Sequence, residues 1–252
     1  MVGCEHDLYF IFFLNPIGVP DVCCNHLLLH LHRAAKTGDE FKNYRSASCL
    51  LLYEFNQTIC FAMDSKVQLA RCFENLNYVH KMTRNVEFEQ CTFIHCDFSD
   101  GGFASCKFVD CTFTHCNFSN AGLGNSQLKG VSFVDCKLMG VNFGECSDFL
   151  FSVGFKGCML DYASFTRKKM MKTVFSDSSL KGVDFSFCDL SKSKFDQVDL
   201  MDAIFEKAIL KEADLRYAIN FIIDPEQTNL RKAKFSQQGL AGLLSRYDLI
   251  IE

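Results

Sequence analysis

Between Val86 and Leu215 a large apolar residue recurs at every fifth position, with a small residue two places before it. The first run of centres is Phe88, Phe93, Phe98, Phe103, Phe108, Phe113, Phe118, Leu123, Leu128, Phe133, Leu138 and Phe143. A second run follows in a shifted register: Phe155, Leu160, Phe165, Met170, Phe175, Leu180, Phe185, Leu190, Phe195, Leu200, Phe205, Leu210 and Leu215. The small residue is Cys, Ala, Val, Ser, Thr or Gly everywhere except at Lys168. A period of five matches neither the helical period of about 3.6 nor the strand period of about 2. The repeat therefore decides the architecture before residue propensity does.

A five-residue unit with two inward side chains describes one side of a square coil. The centre fills the axis, the small residue fits the crowded wall, and the other three positions face water. Four units make a coil, and coils stack at the strand spacing of roughly 4.8 Å, so the two runs predict about six coils. Residues twenty apart should then stack, and their charges agree: Asp161 faces Lys181, Lys169 faces Asp189, Lys192 faces Glu212, Lys194 faces Asp214, Asp196 faces Arg216, and Glu87 faces Lys107. Lys172 over Lys192 is the like-charged exception.

Units such as Ala213-Asp214-Leu215-Arg216-Tyr217 and Cys116-Asn117-Phe118-Ser119-Asn120 resemble the pentapeptide-repeat family, over about half the chain. The resemblance implies an all-β fold, a right-handed quadrilateral β-helix with a short C-terminal helix, dimerised through its C-terminal end. Four segments are expected: an N-terminal extension at 1–62 that need not be part of the functional protein; an irregular cap at 63–85; the β-helix at 86–220, with a register break at 144–154; and a partial coil, helix and tail at 221–252.

The formal net charge is −4, and nothing in the composition suggests ordinary phosphate-backbone binding, so no direct nucleic-acid contact is expected. Of fifteen cysteines, nine (Cys91, Cys96, Cys106, Cys111, Cys116, Cys136, Cys146, Cys158 and Cys188) fall at the small inward position or its continuation. There a thiol acts as a compact hydrophobe, and so many stacked thiols suit a reducing cytosol. Cys96, Cys116 and Cys136 form a straight ladder instead of a tetrahedron, so no zinc is expected. Cys23, Cys24, His26, His30 and His32 match no metal motif, and the apolar stretch Leu8 to Leu14 is too short to span a membrane.

Two departures from the pattern stand out. The register slips by two residues between Phe143 and Phe155, which requires a bulge at Gly144 to Gly154, with Phe149 or Phe151 tucked inward or offered to a partner. Lys168 occupies an inward position, where an ammonium cannot be buried uncompensated; the expectation is a local opening of the wall that lets it reach water, as part of a cationic patch from Arg167 to Lys172. His95, His115 and Asp135 stack on an outward corner as a solvated ladder. No Gly-rich phosphate loop, nucleophile elbow or HExxH sequence is present, no cofactor is implied, and an axis filled with Phe leaves no room for a substrate.

After Asp224-Pro225, Leu230 and Phe235 resume the five-residue step. Ser236 is a candidate N-cap for a helix reaching about Arg246. Leu240, Leu243, Leu244, Tyr247, Leu249 and Ile251 are the expected dimer contact or, alternatively, a simple cap over the last coil. Within the family, the ending Ile223-Asp224-Pro225 through Lys234-Phe235-Ser236 and the closing Ile-Ile-Glu look most like the topoisomerase-protecting branch, which includes the Qnr quinolone-resistance and albicidin-resistance proteins. That likeness implies a dimer that binds DNA gyrase or topoisomerase IV and counteracts inhibitors, by partial mimicry of duplex DNA. The opposed charges weaken uniform mimicry, so the expected partner contacts are Glu145, Asp148, Phe149 and Phe151 at the bulge, with the acids Asp184, Asp199, Asp202 and Glu206. The alternative is an interaction scaffold with another protein partner.

Overall fold

The computed structural model describes residues 66–247 and 249, all within the second of two units, Asn56–Glu252. These residues form a parallel β-solenoid of about 8 turns, the quadrilateral β-helix the repeat implies. Each side of a coil is a strand of two to four residues or an isolated bridge, paired in parallel with the side twenty residues on. Four faces result. The first begins Gln68, Phe88, Phe108, Leu128. The second is the longest column, running from Phe73 through Phe93, Phe113, Phe133, Phe155 and Phe175 to Phe195, with Leu215 paired to Phe235 at its end. The third is bridged Asn77–Asp97–Asn117–Lys137–Met159–Ser179–Asp199, and the fourth carries Thr83 over Phe103 and later Ser164–Asp184–Ile204.

Every centre of both runs is buried. On the second face the rings stack nearly parallel, with centroids 4.8 Å apart for Phe73–Phe93, 4.6 Å for Phe93–Phe113 and 5.2 Å for Phe113–Phe133. Rings on neighbouring faces meet edge-on, as Phe113 does Phe118 at 85°. The axis is thus a closed lattice of offset and T-shaped contacts, each worth about 0.5–1.5 kcal/mol beyond its buried area.

The corners explain how a five-residue step closes. The residue two places after a centre adopts a left-handed backbone: φ is 52° at His95, 51° at Asp110, 52° at Asp135 and 63° at Lys172. Each such residue without glycine costs about 1–2 kcal/mol. Its N–H donates to the next coil, as from His95 to Thr114 O (3.0 Å) and from Asp110 to Lys129 O (2.8 Å), so stacking holds the strained turn in place.

The solenoid begins earlier than the apolar pattern indicates. Residues 66–85, expected as an irregular cap, form a coil in register, with Gln68, Phe73, Tyr78 and Thr83 at its centres. Gln68 is buried and takes a hydrogen bond from Arg71 Nη1 at 2.8 Å. Three polar-bearing centres of four hid this turn from a hydrophobicity count. At the other end Phe235 pairs with Leu215, and a helical run follows: a 3-10 turn at Gln238–Leu240, an α turn at Ala241–Leu244 and a 3-10 turn at Ser245–Tyr247. Ser236 Oγ accepts the Gly239 N–H at 3.1 Å, although the N-cap position itself falls one residue later than expected, at Gln237. Readings placed on residues 1–65, including Cys23, Cys24, His26, His30 and His32, and on Ile251 lie outside the described residues.

Candidate functional site

The two departures from the repeat prove to be one structure. Phe143 stacks on Phe165 and Phe133 on Phe155, each pair 22 residues apart, so the coil holding the bulge has two extra residues. The surplus falls on the first face. There Ser147 N–H donates to Ser126 O (2.9 Å), Ser152 N–H to Leu128 O (2.9 Å), and Gln127 Nε2 to Phe149 O (3.3 Å). Residues 148–151 arch outward between these anchors, closed by Phe151 N–H on Asp148 O and turned at Leu150, whose φ is 55°.

Lys168 lies directly above, and the wall does not open to let it reach water. Its side chain is only 3% exposed. The ammonium donates to Cys146 O and to Asp148 Oδ1, both at 2.5 Å, and sits 5.5 Å from the centre of the Phe151 ring. The expected compensation by solvent is replaced by a carboxylate, a carbonyl and an aromatic face, all from the bulge. The insertion supplies what the lysine needs, and the lysine fastens the insertion.

Phe151 is accordingly half-buried against the core, whereas Phe149 is 68% and Leu150 53% exposed. A projecting apolar tip on a fastened arch is the most distinctive surface among the described residues. Glu145 lies beside it in a 3-10 turn at Phe143–Glu145, held by Asn142 Nδ2 at 3.1 Å.

The four other acids expected at a contact lie on the third and fourth faces, apart from the arch. Asp184 accepts from Thr166 Oγ1 and from the Ser186 N–H. Asp199 pairs with Lys181 at 3.4 Å and also accepts from Asn220 and the Met201 N–H. Partial burial raises its pKa, but these hydrogen bonds and the lysine charge outweigh that and hold the carboxyl below the usual range. Glu206 pairs with Lys207 at 3.4 Å, and Asp202 stands exposed at a left-handed corner. The stacking register of charges holds, but partners within one coil often win: Lys194 pairs with Asp196 and Arg216 with Asp214, instead of across coils. Glu87 with Lys107 and Lys192 with Glu212 do pair as stacked.

The core thiols are buried and free among the described residues. Each donates to a carbonyl of the coil below, Cys111 to Phe88 O and Cys136 to Phe113 O, both at 3.4 Å. Burial pushes the Cys146 and Cys188 thiols up to about 12. Among the described residues no cluster of three metal-ligating side chains occurs, and no helix is long and apolar enough to cross a membrane. His95 and His115 stack at 5.0 Å, with His115 4.0 Å from Asp135, and no nucleophile joins them. A shallow groove between the second and third faces, lined by Asp177, Lys181, Gln197, Asp199 and Tyr217, is open to solvent and lacks converging catalytic groups.

Comparison with known families matches residues 86–147 to the pentapeptide repeat region and residues 178–216 to pentapeptide repeats. The unmatched interval between them holds the arch and Lys168. No curated protein matches the chain significantly. Among solved structures, a trypsin-treated variant of QnrB1, described as a plasmid-mediated fluoroquinolone resistance protein, is similar over 75% of this chain and 99% of its own, at 20% identity and a TM-score of 0.51. Full-length QnrB1 is similar over 73% of this chain and 100% of its own, at 19% identity and a TM-score of 0.42. HetL, a pentapeptide-repeat protein involved in heterocyst differentiation regulation from the cyanobacterium Nostoc sp. strain PCC 7120, follows at 14% identity over 69% of this chain and 91% of its own, with a TM-score of 0.32.

Proposed function

We propose, from the premise that this is a pentapeptide-repeat protein, that it acts by binding a protein and performs no catalysis, and that the protein is DNA gyrase or topoisomerase IV, shielded from quinolone- or albicidin-type inhibitors. The observation that carries the reading is the fastened arch. Scaffolds bind through insertions that interrupt a regular surface, and this one holds Phe149 and Leu150 in water while Lys168 fixes its base. Pre-ordering of such a tip removes part of the entropy cost of association. The acids at 184, 202 and 206 on the third and fourth faces supply a second contact of DNA-like sign, and Glu145 extends it toward the arch. The ending of the chain and the likeness to a fluoroquinolone resistance protein support the choice of target. The same reading places the protein in the cytoplasm as a homodimer.

The test is gyrase supercoiling in the presence of a fluoroquinolone, with the full chain titrated in. Restored supercoiling at near-stoichiometric protein is expected, and a Phe149→Ala, Leu150→Ala double variant should lose it while melting at the wild-type temperature. Absence of rescue at every concentration would leave the second reading, a scaffold for another partner, which the same exposed tip supports.

A further inference from the structure

We propose that the first face of the last four coils binds the phosphodiester backbone of duplex nucleic acid, independently of any topoisomerase. A net charge of −4 hides a segregation that appears only when the chain is wound. On the first face between 168 and 232, the exposed charges are Lys169, Lys172, Lys192, Lys211, Arg231 and Lys232, against Asp189 and Glu212. Over the same length the third and fourth faces, at 158–167, 178–187 and 198–207, carry Asp161, Asp184, Asp199, Asp202 and Glu206 against Lys181, with Arg167 and Lys207 on the corner where the fourth face turns into the first. Lys168, part of the patch as read from sequence, is withdrawn into the wall and contributes nothing to this surface.

The cations are placed, not merely numerous. On the corner, Phe187 lies between Arg167 from the coil below (5.7 Å to the ring centre) and Lys207 from the coil above (5.3 Å). On the opposite corner Lys172 stands over Lys192, a like-charged stack that works against folding. Glu212 pairs with Lys192 and Lys211, at 3.6 and 3.9 Å, but Arg167, Lys169, Lys172, Arg231 and Lys232 have no carboxylate within ion-pair distance among the described residues.

The partner follows from what the face lacks as well as what it has. Phe187, though 44% exposed, has a cation near its ring from the coil on each side, and these compete with any unpaired base that would stack there, so single strands are not favoured. Six of the eight cations on this face and its corner are lysines, which act as point charges, and they outnumber its exposed aliphatic side chains, Met171 and Ile209. Three coil steps span roughly 14 Å, over which a duplex presents about eight phosphate charges. Contact with about half of them is the expectation.

The experiment is fluorescence anisotropy of a labelled duplex DNA of arbitrary sequence with the full chain at two salt concentrations. Binding at about 50 mM salt should weaken on the order of a hundredfold at about 200 mM, the loss that about four released phosphate counterions produce. Lys169→Glu, Lys172→Glu and Lys211→Glu combined should lower affinity at least tenfold while the chain stays folded, since all three residues are exposed and relief of the Lys172–Lys192 repulsion offsets the new repulsion at Asp189 and Glu212. No binding at the lower salt, or wild-type binding by the folded triple variant, would overturn the proposal. So would displacement of the duplex by poly-glutamate of equal charge, which would make the face a site for acidic protein.

Discussion

At the scale of single residues, Lys168 and Asp148 form an unequal pair, the lysine enclosed and the aspartate 80% exposed. Removing the aspartate leaves a buried ammonium with only Cys146 O and the Phe151 ring, whereas removing the lysine leaves a carboxylate that water already solvates. Asp148→Ala should therefore destabilise by about 1–3 kcal/mol, below the usual range for breaking a buried pair because Asp148 is largely solvated. Lys168→Met, which fills the same space, should be neutral or stabilising. Urea midpoints of the two variants decide this, and equal losses would show that the asymmetry is wrong. Phe113, stacked between Phe93 and Phe133, is the cleanest test of the axis: Phe113→Ala should cost about 3–5 kcal/mol in the same measurement. Gly102 has φ of 137°, and a Cβ there would fall 2.1 Å from Gly122 O, so Gly102→Ala meets backbone that cannot yield. A loss of about 1–3 kcal/mol is expected by thermal melt. Sequence alone marked Lys168 as anomalous because its position was fixed by the period. It gave no route to the partner, since Asp148 lies in the one stretch where the period fails and position no longer predicts contact.

At the scale of elements, the repeat made nearly every side of the coil legible, because a centre and its small companion specify inward direction twice over. Legibility failed where side chains do not report direction. Gln68, Tyr78 and Thr83 occupy centres without being aliphatic or Phe, so the repeat pattern does not extend to the first described coil. The left-handed corners leave no mark in the sequence either, since His95, Asp110, Lys172 and Phe187 share no chemistry at that position. Their common cause is the hydrogen bond to the next coil, which sequence does not display. The thiols were legible as core, and their ionisation gives a pH prediction. Burial raises Cys146 and Cys188 from about 9 to about 12, so both states keep the proton below pH 9. Above it the unfolded chain ionises while the folded chain does not, and stability falls as pH rises toward 12. Urea midpoints at pH 8 and 10.5 should differ in that direction, and Cys188→Ala should reduce the difference. A stability that is flat over this interval would argue that these thiols are open to solvent in the native state.

At the scale of the whole molecule, stacking demands an end to the stack. The helical run after Phe235 supplies one: Ile223 N–H donates to Gly242 O at 3.0 Å, Leu243 packs on the core, and Arg246 pairs with Asp224 and Glu226 at 2.7 and 2.9 Å. Gly242 is required for this approach, because a Cβ there would lie 2.1 Å from Phe221 O. The cap and dimer readings of this segment are therefore compatible. Its inner side closes the last coil, while Leu240, Leu244, Tyr247 and Leu249 remain 36–57% exposed on its outer side. Four large side chains clustered at a solenoid terminus form a patch that a second copy can cover by two-fold symmetry, each residue meeting the other's surface. The expected outcome in sedimentation equilibrium is a species of twice 28.6 kDa that Leu249→Glu converts to monomer. Leu249 is the most exposed of the four, so the variant should keep the melting behaviour of the monomer, which separates loss of self-association from unfolding. A wild-type chain that stays monomeric at every concentration would reduce this end to a cap alone, and would remove the dimer from the proposed complex with gyrase.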